Sequence, residues 1–223
     1  MSRDGYRKDV FLEEFLLSES FSSMYSMAAV DDVAPAESRL KFYFQTPYTS
    51  FPSVRETVTL GGHVEIPEEQ LQSLRSLIIA VVGDDKDYPE DVEMHPVAQK
   101  GGDFIDLPAP VSGFGYYFDI APGSELPAIK LYLPIHHYGQ DDLSLAKGIT
   151  EWMKAHGRGQ YCDRYMSMLE NMAYHRHLED KKGLQSYVSC LIKKSGELDI
   201  TTYIDPEALD RVKPKAKTNG ASH

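Results

Sequence analysis

Cysteine is scarce in this chain. Two in 223 residues, Cys162 and Cys190, cannot build a disulfide framework and point to a reducing compartment. Long apolar runs are absent as well. The longest, Leu77-Ile-Ile-Ala-Val-Val82, is far short of the ~20 residues a membrane-spanning helix needs. The N-terminus, Met1-Ser-Arg-Asp-Gly-Tyr-Arg-Lys-Asp9, has no apolar signal core, so a cytoplasmic protein without a membrane partner is expected. Basic charge is in deficit: 23 Lys and Arg stand against 34 Asp and Glu, a net charge of −11, which argues against a nucleic-acid partner because a phosphate backbone requires a basic face. What is present is ordinary for a globular protein, with 42% hydrophobic and 26% charged residues, and this excludes disorder over most of the length.

Apolar spacing predicts a helix at 7–17 and a strand near 24–33. Residues 38–45 alternate strictly: Leu40, Phe42 and Phe44 face one way, Arg39, Lys41, Tyr43 and Gln45 the other. Ser50 can cap a short helix running to Leu60 and ended by Gly61-Gly62, and a longer helix is expected over 67–82. Residues 84–111 read as an acidic loop. A second strand pair follows, Gly115–Ile120 and Ile129–Ile135, joined through Ala121-Pro-Gly123; Ile129, Leu131, Leu133 and Ile135 share one face, Lys130 and Tyr132 the other. Asp141 can cap a helix over 142–156 ended by Gly157, and another is expected at 160–175, with Tyr161, Tyr165, Met168, Leu169 and Met172 at helical intervals on one stripe. A third pair, Leu184–Ile192 and Leu198–Ile204, reads as a hairpin across Lys193-Lys-Ser-Gly196. Residues 211–223 read as a disordered basic tail behind one domain over 1–210.

The order strand, strand, helix, helix repeats with a period of about 70–90 residues, too long for a solenoid and suited to tandem units of one domain. Lys41-x-Tyr43 and Lys130-x-Tyr132 fall at matching places, and Thr201-x-Tyr203 matches them in the third unit. If the sheet curls with helices outside, these residues line its inner face. Burying Lys or Arg without a counter-charge is costly, so such a lumen implies a bound anion, and a diphosphate fits. The alternative is a half-exposed sheet whose polar face meets water.

Further motifs sharpen the choice. Ala34-Pro-Ala-Glu-Ser-Arg-Leu-Lys-Phe-Tyr43, Thr46-Pro-Tyr-Thr-Ser-Phe51, Thr59-Leu-Gly-Gly62, Phe118-Asp-Ile-Ala-Pro-Gly123, Lys130-Leu-Tyr-Leu-Pro134 with His137-Tyr138, and Gly183-Leu-Gln-Ser-Tyr-Val-Ser189 strongly resemble fungal aromatic prenyltransferases of the dimethylallyltryptophan synthase type. The resemblance runs over about residues 10–209. It implies an α+β fold, an antiparallel β-barrel of αββα units with helices outside, of which this chain would supply the C-terminal half, about six of ten strands. It implies transfer of a dimethylallyl group from dimethylallyl diphosphate to an indole or related small aromatic in secondary (alkaloid) metabolism, without a metal or other cofactor. Diphosphate binding is carried over to Arg39, Lys41, Tyr43, Lys130 and Tyr132, and shielding of the allyl cation to Tyr43, Tyr132, Tyr203 and Tyr187. Where some relatives have a further tyrosine, this chain has Asp199.

The family's general-base Glu, another diphosphate-gripping Arg and a further Lys-x-Tyr belong to the N-terminal half and have no counterpart here. The pair Glu13-Glu14 on the first expected helix does not replace that Glu. Two readings follow: a prenyltransferase by lineage that needs self-association or a complementary half to close its barrel, or an inactive half-domain acting as a binding or dimerising partner. Other groups read as structural. Asp84-Asp-Lys-Asp87 has the wrong spacing for a metal–diphosphate motif, His136-His137 and His175-Arg-His177 lack a partner set for a metal, and Cys162, Cys190 and Trp152 read as packing residues.

Overall fold

In the computed structural model of the chain, the described residues are 25–34, 36–82, 90–94, 112–193 and 195–207. The expected helix at 7–17 with Glu13-Glu14, the run Asp84–Asp87, most of the 84–111 loop and the 211–223 tail lie outside them. Six strands form one antiparallel sheet in chain order: β1 (Tyr25–Val30), β2 (Leu40–Gln45), β3 (Gly115–Ile120), β4 (Ala128–Leu133), β5 (Gln185–Ile192) and β6 (Leu198–Ile204). Two helices follow β2, α1 (Phe51–Val58) and α2 (Glu68–Val82); two follow β4, α3 (Asp142–Ala155) and α4 (Cys162–Met172). The expected repeat is therefore present. The sheet is not closed: β1 and β6 are its edges.

Alternation decides which face the helices cover. Tyr116 and Phe118 of β3, Leu131 and Leu133 of β4, and Val188 and Cys190 of β5 are buried in one core with Phe51 and Val54 of α1, Leu74, Leu77, Ile78 and Val81 of α2, and Leu145 and Ile149 of α3. Burial of each large side chain contributes about 1.5–3 kcal/mol, so the apolar face is where the helices must sit. Gly148 sets how closely α3 packs on α2, because a Cβ there would lie 1.8 Å from the Ala80 carbonyl oxygen.

Several local expectations hold and others shift. Asp141 caps α3, accepting a 2.7 Å hydrogen bond from the Ser144 N–H, and Gly157 follows that helix at φ +73°. Ser50 stands at the start of α1 but makes no side-chain cap. A distant carboxylate does the work instead: Glu93 accepts from the Ser50 N–H (2.9 Å), the Thr49 hydroxyl (2.8 Å) and the Thr49 N–H. Although burial raises the Glu93 pKa, these bonds hold it below the usual carboxylate range. Strand β4 stops at Leu133, before Pro134, which has no N–H to continue the ladder. Ile135 then lies in a 3-10 turn, Ile135–His137, yet stays buried. Helix α4 begins at Cys162 after a second 3-10 turn, Gly159–Tyr161. Leu169 faces the core, while Tyr161 and Met168, expected to share its stripe, are 58% and 41% exposed.

Candidate functional site

The face opposite the helices is built by pairing register. Tyr43 of β2 stands across from Tyr117 of β3, and Tyr117 from Lys130 of β4. Tyr132 of β4 pairs with Ser189 of β5, Ser189 with Thr201 of β6, and Tyr187 with Tyr203. Since paired residues point to the same side, Lys41, Tyr43, Lys130, Tyr132, Tyr187 and Tyr203 share one face, with Arg39 extending it beyond the start of β2. Strands β2 and β4 are two places apart, so Lys41 and Lys130 rise from backbones roughly 10 Å apart, within the joint reach of two long side chains.

The aromatic side chains are grouped in two pairs. The rings of Tyr43 and Tyr117 have centroids 4.9 Å apart, and those of Tyr132 and Tyr203 are 5.8 Å apart with their hydroxyls sharing a 3.3 Å hydrogen bond. Lys130 Nζ lies 5.8 Å from the Tyr132 ring centroid, a cation–π approach. Burial pushes the phenols of Tyr132 and Tyr187 up, and burial together with the Asp119 carboxylate does the same to Tyr117. These hydroxyls are therefore neutral at physiological pH, so the rings keep an electron-rich face and the O–H groups remain donors.

The cations have company that the strand pattern did not place. Arg39 Nη1 is 2.9 Å from Asp119 Oδ2, and Lys41 Nζ pairs with Asp31 Oδ1. The Asp31 hydrogen bond is the main reason the Lys41 pKa is raised, ahead of the opposing effect of burial. Lys130 makes no ion pair among the described residues. The premise of unneutralised cations thus applies to Lys130 but not to Arg39 or Lys41. Tyr117 and Asp119 were readable, because they alternate with Tyr116, Phe118 and Ile120 in the same run. Asp31 lies just after β1 and carries no comparable signal.

Other singled-out groups have structural surroundings. Arg176 pairs with Asp142 and, through Nε and Nη2, with both oxygens of Glu207 at 3.0 and 3.1 Å, while His175 Nε2 lies 3.1 Å from Glu207. Asp142 also accepts from the Leu184 and Gln185 N–H groups, both at 3.1 Å. His136 Nδ1 is 2.5 Å from the Ser186 carbonyl oxygen. Cys162 and Cys190 are buried free thiols, and burial pushes Cys190 up to about 12. Among the described residues no group of three or more His, Cys, Asp or Glu is arranged to hold a metal ion. Among the described residues no helix is long and apolar enough to cross a membrane. A recess of about 930 Å³ opens at the other side of the sheet, near the β3–β4 turn. Val58, Ile66, Leu74 and Leu131 line it and Arg39 and Asp119 stand at its rim, but the tyrosines do not border it.

Comparison with known proteins bears on this face. Residues 5–168 match the tryptophan dimethylallyltransferase family. The prenyltransferase anuH of Penicillium roqueforti is 52% identical over 205 residues, 89% of this chain and 45% of the relative. Xanthone prenyltransferase B of Emericella nidulans is 40% identical over 188 residues, 81% of this chain and 40% of the relative. AnaPT from Neosartorya fischeri superposes with a TM-score of 0.67 at 22% identity, covering 92% of this chain and 45% of that one. NotF in complex with brevianamide F and DMSPP does so with 0.69 at 20% identity, covering 92% and 46%. These structures show the fold: the six-stranded sheet and its helices correspond to part of a prenyltransferase barrel. The chain spans about half the length of the curated relatives it matches.

Proposed function

This chain belongs to the tryptophan dimethylallyltransferase family, and on that premise we propose that its tyrosine-lined sheet face binds dimethylallyl diphosphate and serves transfer of the dimethylallyl group to an electron-rich aromatic ring. The observation that carries the reading is the gathering of Lys41, Lys130, Tyr43, Tyr132, Tyr187 and Tyr203 on the one face the helices leave uncovered. Arg39 and Lys41 donate to diphosphate oxygens in forked and single-point fashion, and Lys130 approaches from β4. As the C1–O bond of the donor breaks, its electron pair goes to the diphosphate, and these cations stabilise the charge that builds there. The allyl cation left behind lies against the tyrosine rings, whose faces stabilise it and keep water away. A carbon of the aromatic ring attacks the allyl cation, and a base removes the ring proton. The family's Glu for that role has no counterpart in these 223 residues. No step is routed through a metal, since Lys130, with Arg39 and Lys41 once these leave Asp119 and Asp31, meets the charge of the diphosphate.

The acceptor is an indole or a related aromatic. The 40% identity with a xanthone prenyltransferase favours a xanthone ring as the first to try. The protein works in the cytoplasm, in fungal secondary metabolism. A second reading is favoured by the open edges β1 and β6: a half-domain that binds the donor without turnover and associates with a second copy or a complementary half. The test is incubation of the purified chain with dimethylallyl diphosphate, chelator and a panel of phenols and indoles, with products read by mass spectrometry. Prenylated product that is lost in Lys41→Ala supports the enzyme. Donor binding without product supports the half-domain, and neither binding nor product rejects both.

A further inference from the structure

We propose that Asp31 and Asp119 are resident counter-anions of the diphosphate subsite, occupying Lys41 and Arg39 until the diphosphate displaces them. The inference rests on the reading of this face as a diphosphate site. Lys41 lies directly across from Asp119, yet Lys41 Nζ turns to Asp31, and Asp119 takes Arg39 from the neighbouring position. Two cations and two carboxylates thus form a closed set without net charge, and Asp119 also acts on Lys41 electrostatically.

Neither contact is built to last against a stronger anion. Arg39 meets Asp119 through one nitrogen, its side chain is 53% exposed, and the forked contact that makes arginine–carboxylate pairs strong is not formed. The other oxygen of Asp119, Oδ1, is buried without a well-formed hydrogen bond among the described residues, although the carboxylate also acts on the Tyr117 hydroxyl. Asp31 belongs to the segment after β1, held by a 3.4 Å backbone bond to Arg39 and by the Ser38 hydroxyl on its carbonyl, so its carboxylate can swing away without disturbing the ladder. Contrast Arg176, which forks onto both oxygens of Glu207 and also pairs with Asp142, all three side chains being buried.

A diphosphate carries more charge than a carboxylate and offers more acceptor oxygens. It cannot share Lys41 and Arg39 with two neighbouring carboxylates without repulsion, so binding requires both ion pairs to open. The carboxylates therefore hold the long cationic side chains in place in the empty site and set a threshold that an anion must exceed. They act through Lys41 and Arg39 and touch neither substrate nor reacting atoms, which makes them positioning residues.

Titration of inorganic pyrophosphate into the 223-residue chain by calorimetry at fixed salt tests this, comparing the parent with Asp31→Asn, Asp119→Asn and Asp31→Glu. Each Asn variant is expected to bind pyrophosphate about three- to tenfold more tightly, with Asp31→Glu restoring the parent affinity. The two substitutions lie in different segments, so misfolding of one leaves the other informative. Binding in the parent with equal or weaker binding in both Asn variants overturns the proposal and leaves the diphosphate reading standing. Binding in the Asn variants alone supports both. Absence of binding in every protein rejects the diphosphate reading itself, and this inference with it.

Discussion

His136 and His137 lie in the 3-10 turn after β4, and their surroundings set how the fold answers to acid. Burial, with His136 and Lys182 adding to it, pushes the His137 imidazole down to about 4 from the usual 6.5. Between those values the unfolded chain binds a proton that the folded chain does not. The contribution is therefore complete above about pH 6.5 and is lost as pH falls towards 4, on the order of 2 kcal/mol from this group. Urea unfolding at pH 7 and pH 4.5 measures it. The His137→Gln variant should lose less stability on acidification than the parent, and His136, also held down by burial, accounts for a smaller remaining share. Equal losses would contradict the assignment. At the same scale, the residues of the proposed site owe their chemistry to neighbours. Lys41 is tuned by Asp31, Tyr117 by Asp119, and Tyr132 by burial beside Tyr203.

The elements join through polar struts as well as through the core. Arg176, after α4, ties Asp142 at the start of α3 to Glu207 beyond β6, and Asp142 in turn anchors the first N–H groups of β5. All three charged side chains are less than 10% exposed. Removing Arg176 takes the forked partner from the buried Glu207 and the ion-pair partner from the buried Asp142, so Arg176→Met should cost about 3–5 kcal/mol in chemical denaturation, with Arg176→Lys recovering only part because an ammonium cannot form the fork. A loss below about 1 kcal/mol would show that the strut is solvated. Much of the element pattern was legible. Leu40, Phe42 and Phe44 against Lys41 and Tyr43 announce β2, and Asp141 with Gly157 brackets α3, because these signals are local. The same alternation along Gly115–Ile120 holds Tyr117 and Asp119 in plain view. What the chain order hides is long-range: Glu93 capping α1, Asp31 reaching Lys41, and Glu207 meeting His175 and Arg176, each brought together only by folding. The stripe read along α4 was too wide for a related reason. Periodicity shows that Tyr161, Met168 and Leu169 lie near one another on the helix, but only packing shows that Leu169 alone is covered.

At the scale of the molecule, an acidic chain of net charge −11 keeps its proposed anion site on one sheet face. That sheet has two edges, and β1 carries Met27 and Val30 at 47% and 70% exposure. Strand edges of this kind pair with further strands. The proposed self-association predicts a light-scattering mass near twice 25.1 kDa at micromolar concentration, and a species of 25.1 kDa alone would contradict it. The most direct test of the central claim, that this face grips a prenyl diphosphate through Lys41 and Lys130, is calorimetric titration of dimethylallyl diphosphate in the presence of chelator. The account predicts saturable binding that weakens by about tenfold or more in Lys41→Ala and in Lys130→Ala. Binding that both substitutions leave unchanged would contradict it.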